Sequence, residues 1–65
     1  MVKVEYNPYK NGYHVLTPMG YVKRYNPKDY SFTYSIHANV FDLGTAQRYK
    51  GIIENIIEII KIEMR

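Results

Sequence analysis

Hydrophobic and polar positions change their spacing at Asp42. From Tyr30 to Val40 every second residue is apolar, and such alternation is typical of a strand with one buried face. After Asp42 the apolar residues recur at the spacing of an amphipathic helix, and they are Ala46, Tyr49, Ile52, Ile53, Ile56, Ile57, Ile60 and Met64. The pattern predicts a long strand followed by one terminal helix at about 43–64, with Asp42 or Thr45 as its N-cap.

Shorter alternating runs predict further strands ahead of the long one. Turns containing Asn, Pro and Gly separate them, and the predicted strand bounds are 2–6, 13–17, 20–25 and 30–41. Short turns favour antiparallel pairing of neighbouring strands. We therefore predict an α+β fold in a single domain, in which a small antiparallel β-meander of three to four strands carries the C-terminal amphipathic helix on one sheet face.

Two expectations follow for the long strand. The helix should cover its even-numbered residues, with Ala38 allowing a close approach. At about eleven residues the strand exceeds the usual length, so we expect it to be bent or only partly extended.

Composition narrows the classes of function. Sixty-five residues without cysteine allow one small domain, no disulfide and no thiolate metal site. We expect a cytoplasmic protein without membrane contact, because no apolar stretch could span a membrane and residues 1–12 do not resemble a secretory leader. His14 and His37 lack metal-ligand spacing, and the glycines form no phosphate-binding loop. We therefore expect neither an enzyme nor a bound cofactor or metal.

The apolar stripe of the helix is wider than one small sheet needs. A helix packed on a sheet buries an arc of about 100°, whereas this stripe extends farther around the helix. One interpretation is that the whole stripe is core. The other is that the surplus residues Ile52, Ile59 and Ile62 form a homodimer interface, because exposed isoleucines are a liability on a monomer.

Tyrosines and basic residues are interleaved along the first three strands and their turns. Residues 1–50 carry seven Lys/Arg and three acidic residues, within a net charge of +3 for the chain. Tyrosines suit strands, anchor protein interfaces and stack on the bases of single-stranded nucleic acid, so three interpretations stay open. The candidate contacts with a protein or nucleic-acid partner are Tyr9, Lys10, Tyr13, Tyr21, Lys23, Arg24, Tyr25 and Lys28.

Lys23 and Arg24 form the only adjacent basic pair. Neighbouring side chains on a regular strand point to opposite faces, so we expect the pair to be a poor joint clamp for a phosphate. A solvated sheet edge that discourages strand-to-strand aggregation is the role we expect instead.

Two resemblances can be drawn. The segment Ala38-Asn39-Val40-Phe41-Asp42, followed by Ala46, resembles the strand-to-helix junction of the three-stranded DNA-binding fold of plant ethylene-response factors and integrase arm-binding domains. The basic and aromatic residues that read the major groove in that family have no clear match here.

The second resemblance rests on size and composition. Ile, Lys, Asn and Tyr supply 27 of the 65 residues, which indicates AT-rich codons, as in many phages or in an ordinary low-GC bacterium. The chain is similar to very short phage accessory and inhibitor proteins, and this likeness implies the host cytoplasm as its location.

These observations predict a small non-enzymatic binding protein that occupies a macromolecular surface. A phage or mobile-element inhibitor of a host enzyme or defence system is the concrete form, with a protein partner and a homodimer both expected. The alternative is a small basic nucleic-acid-binding regulator that uses its Tyr/Lys/Arg-rich sheet.

Overall fold

The computed structural model describes residues 1–63 and contains four strands followed by one helix. The strands form one antiparallel sheet in the order β1-β2-β3-β4, and the elements are β1 Lys3–Asn7, β2 Gly12–Thr17, β3 Gly20–Asn26, β4 Ser31–Ser35 and α1 Leu43–Glu63. The predicted α+β class, the meander and the single C-terminal helix on the sheet are thus confirmed. Met64, which we expected to close the helical stripe, lies outside the described residues.

Asp42 caps the N-terminus of α1. Its carboxylate accepts hydrogen bonds from the Thr45 backbone N–H (3.1 Å) and from the Thr45 hydroxyl (2.6 Å), which satisfies a backbone donor that the helix itself cannot pair. These bonds favour the charged form and lower the pKa of Asp42. Of the two candidate caps, Asp42 is therefore the N-cap and Thr45 its partner in the first turn.

The core lies between α1 and the sheet. Its buried apolar residues are Val2, Val15, Val22, Ala46 and Ile53. We expected α1 to cover the even-numbered residues of the long strand, but it packs across β1 and β2. It reaches β4 through the ring of Tyr49, whose centroid lies 5.4 Å from that of Phe32. Ala38, which we expected to allow a close approach of the helix, lies beyond the end of β4, and the small residue buried in the core is Ala46 on the helix.

The fourth strand is shorter than predicted. It ends at Ser35, which pairs with Tyr21 near the start of β3, so the strand stops where its partner strand runs out. Two residues that the alternation placed in the core are instead exposed: Tyr30, which has a φ of 58° in the preceding turn, and Ile36. The expectation of a strand extended only in part is confirmed.

The segment 38–41, named here the wedge segment, lies between β2 and β3. These two strands pair only at Leu16–Tyr21 and Thr17–Gly20. Farther along, Tyr13 of β2 exchanges both backbone hydrogen bonds with Phe41, at 2.8 and 2.9 Å. On the other side, the Asn39 side chain donates to the Lys23 carbonyl at 3.0 Å. The wedge segment therefore completes the hydrogen bonding where β2 and β3 diverge.

Glycine at position 12 allows the wedge segment to approach β2. A Cβ atom on Gly12 would lie 2.7 Å from the Cβ of Val40, closer than packed carbon atoms tolerate.

Within residues 1–63, the helix contains no apolar stretch long enough to cross a membrane.

Candidate functional site

One face of the sheet is covered by α1 and the other, named here the outer face, is not. Side chains alternate between the two faces of a sheet. In each strand the core residues show which side chains point toward α1, and the side chains between them point to the outer face. The outer face carries Lys3, Glu5, His14, Leu16, Tyr21, Lys23, Arg24, Thr33 and Ser35. Its three cations outnumber its single carboxylate, so the outer face attracts anions.

A β-bulge changes the orientation of the adjacent basic pair. Val22 pairs with Tyr34 and Arg24 pairs with Thr33, so Lys23 is an extra residue with no partner on β4. Val22 is fully buried beneath α1. Because the bulge inserts one residue, Lys23 and Arg24 are both exposed on the outer face. The prediction that they point to opposite faces is wrong, and so is the sheet-edge role, because β3 lies inside the sheet between β2 and β4.

The bulge borders a concavity of about 250 Å³. Lys23, Arg24, Thr33 and Asn39 line it. The amide of Asn39 is held by its hydrogen bond to the Lys23 carbonyl, so the bulge and the wedge segment stabilise each other. The lining offers an ammonium group, a guanidinium group and a hydroxyl group, and none of its residues is a carboxylate.

A second depression of about 340 Å³ adjoins the first through Arg24. Arg24, Tyr25, Asn26, Pro27 and Lys28 line it. The two depressions together follow β3 into the β3–β4 turn. Four of the eight candidate contact residues, Lys23, Arg24, Tyr25 and Lys28, therefore line one path.

The other candidate contact residues are not part of this path. Tyr13 has its ring on the helix side. So does Tyr25, whose ring centroid lies 5.5 Å from that of Tyr49, although the residue lines the second depression. Tyr9 is 97% exposed in the β1–β2 loop. Lys10 in the same loop donates to the Ala38 carbonyl and so anchors the wedge segment. A platform of tyrosines stacked beside cations is therefore not formed.

Tyr21 is the one tyrosine on the outer face. Its ring meets that of His14 edge to face, with centroids 5.1 Å apart. His14 Nε2 lies 3.3 Å from a carboxylate oxygen of Glu5. Among residues 1–63, no group of three or more His, Asp or Glu side chains is placed to hold a metal ion.

The end of α1 presents apolar side chains that the sheet does not cover. The last helical residue packed against the core is Ile57, and every residue from Glu58 to Glu63 is exposed. We name as the isoleucine strip the five isoleucines of α1 that lie outside the core cluster, namely Ile52, Ile56, Ile59, Ile60 and Ile62. Ile52 is half-buried, whereas Ile59 and Ile62 are 56% and 62% exposed, so the candidates for self-association differ in accessibility.

Two residues of the concavity were not among the sequence-based candidates. The alternation on the long strand did place Thr33 on a solvated face with Ser31 and Ser35, so its orientation was predictable. Asn39 reaches the bulge only because the wedge segment enters the sheet, and no local sequence signal marks that position.

The sequence matches no protein-family model and no curated protein, and the fold matches no solved structure.

Proposed function

We propose that this is a non-enzymatic binding protein that works by occupying the surface of another protein with the end of α1. The isoleucine strip supports the proposal most directly. Burial of an isoleucine side chain contributes roughly 1.5–3 kcal/mol, and Ile59, Ile60 and Ile62 are about half exposed or more. A contiguous apolar surface of this kind is typical of an interaction site.

The shape of the molecule supports the same proposal. A helix of 21 residues is about 32 Å long at 1.5 Å per residue, whereas the longest strand has seven residues and spans about 23 Å. The molecule measures 40 Å along its longest axis and 25 Å along the next. The helix therefore extends past the sheet, and its end can enter a groove on a partner. Inhibition of a host enzyme or defence complex is the concrete form of this proposal.

A pair of variants tests the role of the isoleucine strip. Ile59→Lys with Ile62→Lys adds two positive charges to the strip, and Gln47→Lys with Glu54→Gln changes the net charge by the same amount at exposed positions on the opposite side of α1. Both variants should remain folded, because exposed substitutions change stability by about 0.5 kcal/mol or less per site. Circular dichroism checks this for each protein.

Binding is then measured with purified components. Proteins retained from a lysate by the wild type and the control variant, but not by the strip variant, are purified and titrated by calorimetry. We expect the strip variant to bind about thirtyfold more weakly or worse, as for the loss of a hot spot of about 2 kcal/mol. Equal binding of the strip variant and the control variant by every purified candidate would contradict the proposal.

Self-association is measured separately, because a second copy of the chain is itself a candidate partner. Sedimentation velocity over a range of concentrations reports the dimer expected from the sequence. A dimer that the strip variant abolishes and the control variant retains would assign the isoleucine strip to that interface. A dimer insensitive to the strip variant would place self-association elsewhere and would remove it from this proposal.

A further inference from the structure

The concavity at the β-bulge has the chemistry of a phosphate site. Arginine presents a planar fork of N–H donors that matches phosphate oxygens, and lysine adds a compact positive charge. Arg24 and Lys23 supply these two groups from neighbouring positions, and the Thr33 hydroxyl lines the same concavity. The single ion pair found among residues 1–63 joins His14 to Glu5, so it does not neutralise either of these cations.

The bulge brings the side chains of Lys23 and Arg24 to the same face of the sheet. In a regular strand one of the two side chains would have pointed into the core beneath α1. Instead, Val22 and the Tyr25 ring occupy the helix side, and Lys23 and Arg24 share the outer face. Asn39 holds the carbonyl of the extra residue, so this arrangement does not depend on a ligand.

The adjoining depression extends the site in one direction. It shares Arg24 with the concavity and adds Lys28 in the β3–β4 turn. The nearest carboxylate in that turn, Asp29, accepts hydrogen bonds from the backbone N–H and the hydroxyl of Ser31, at 3.2 and 2.6 Å. A row of cations along shallow, connected depressions suits a ligand that carries phosphates at regular intervals.

We infer that Lys23 and Arg24, with Lys28 beyond them, bind the phosphodiester backbone of a single nucleic-acid strand on the outer face. The contact is with phosphates and not with stacked bases, because the rings of Tyr13 and Tyr25 lie on the helix side. The single outer-face tyrosine, Tyr21, packs edge to face against His14 and does not form a stacking platform alone. Binding is therefore tolerant of sequence and sensitive to salt. It uses a different face from the isoleucine strip and does not depend on the function proposed above.

The test is a fluorescence anisotropy titration of a labelled, mixed-sequence single-stranded DNA at salt concentrations from about 50 to 200 mM. Lys23→Glu with Arg24→Glu reverses the charge of the site. Arg48→Glu with Lys61→Glu is the matched control, since it reverses one arginine and one lysine that are exposed on α1. We expect the site variant to lose about tenfold or more in affinity, and the control variant to stay within about threefold of the wild type.

The salt dependence tests the contact itself. Lys23→Ala with Arg24→Ala removes two phosphate contacts, so the slope of log affinity against log salt should become shallower by about 1.4. If the variants lose their fold, amide chemical shifts of the wild type during the same titration replace them. Shifts concentrated at Lys23, Arg24 and Thr33 would support the inference, and shifts spread over the whole surface would contradict it.

A titration with inorganic phosphate distinguishes a site for a nucleic-acid strand from a site for a single anion. Inorganic phosphate is titrated into the wild type against sodium chloride of equal ionic strength. Binding of inorganic phosphate without binding of the strand would overturn the inference, as would equal losses in the site and control variants or no strand binding at the lowest salt concentration.

Discussion

At the scale of single residues, two glycines have opposite roles that their surroundings explain. A Cβ on Gly12 would lie 2.7 Å from that of Val40, whereas a Cβ on Gly51 would have no neighbour within 4 Å. Gly12 is therefore required by the close approach of the wedge segment. Gly51 lies in the interior of α1, where glycine is unfavourable because of its backbone entropy.

Alanine substitutions at these two glycines should change stability in opposite directions. Gly12→Ala should destabilise the protein by about 1–3 kcal/mol through overpacking against Val40. Gly51→Ala should stabilise it by about 0.5–1 kcal/mol through helix propensity. Urea unfolding followed by circular dichroism measures both changes. A neutral Gly12→Ala would mean that the wedge segment can move away from β2 without cost.

At the scale of elements, the sequence predicted the kind of each element better than its ends. Period-two and helical spacing identified four strands and one helix, and turn residues separated them. The end of β4 depends on where its partner strand runs out, so the alternation through Ile36 was misleading. The bulge at Lys23 depends on the wedge segment across the sheet, and a local pattern cannot contain that information. The orientation of Arg24, and with it the candidate site, could therefore not be predicted from the sequence.

The N-cap of α1 makes helix stability depend on pH. The hydrogen bonds from Thr45 lower the pKa of Asp42 below its ordinary value of 3.8. A lowered folded-state pKa stabilises the fold above the unfolded-state value, and that stabilisation is lost as the pH falls through the folded-state value.

Two substitutions separate the charge of Asp42 from its capping bonds. Asp42→Ala should lower the melting temperature by a few degrees at neutral pH, and the difference from wild type should shrink below about pH 4. Asp42→Asn keeps a capping oxygen and should melt closer to the wild type at neutral pH. Thermal unfolding across this pH range provides the measurement. Identical melting of Asp42→Ala and the wild type at neutral pH would show that the cap contributes nothing.

At the scale of the whole molecule, stability rests on a small core. Among residues 1–63, five apolar side chains are buried, and Ile53 is the largest of them. A chain of this length has a total stability of roughly 3–10 kcal/mol. The aromatic rings around Tyr49 extend the core toward β4, where burial raises the pKa of the Tyr34 hydroxyl. Few side chains therefore share the stabilisation of the fold.

Shortening Ile53 should have a graded effect. Ile53→Val should cost about 0.5–1.5 kcal/mol, and Ile53→Ala about 2–5 kcal/mol, which approaches the total stability and should leave much of the protein unfolded. Ile62→Ala, on the uncovered end of the same helix, should change stability by about 0.5 kcal/mol or less. Thermal melts compare the three variants, and a large effect of Ile62→Ala would contradict the exposure of the isoleucine strip.

From the position of the wedge segment we expect a particular order of assembly for the sheet. The β1–β2 and β3–β4 hairpins join neighbouring parts of the chain, whereas the bond from Lys10 to Ala38 spans 28 residues. Contacts over such separations form late, because the intervening chain must first be ordered. Each hairpin can therefore fold before the two are joined. In the native protein, a local opening that withdraws residues 38–41 would expose the Tyr13 and Phe41 amides to hydrogen exchange together, while both hairpins stay intact.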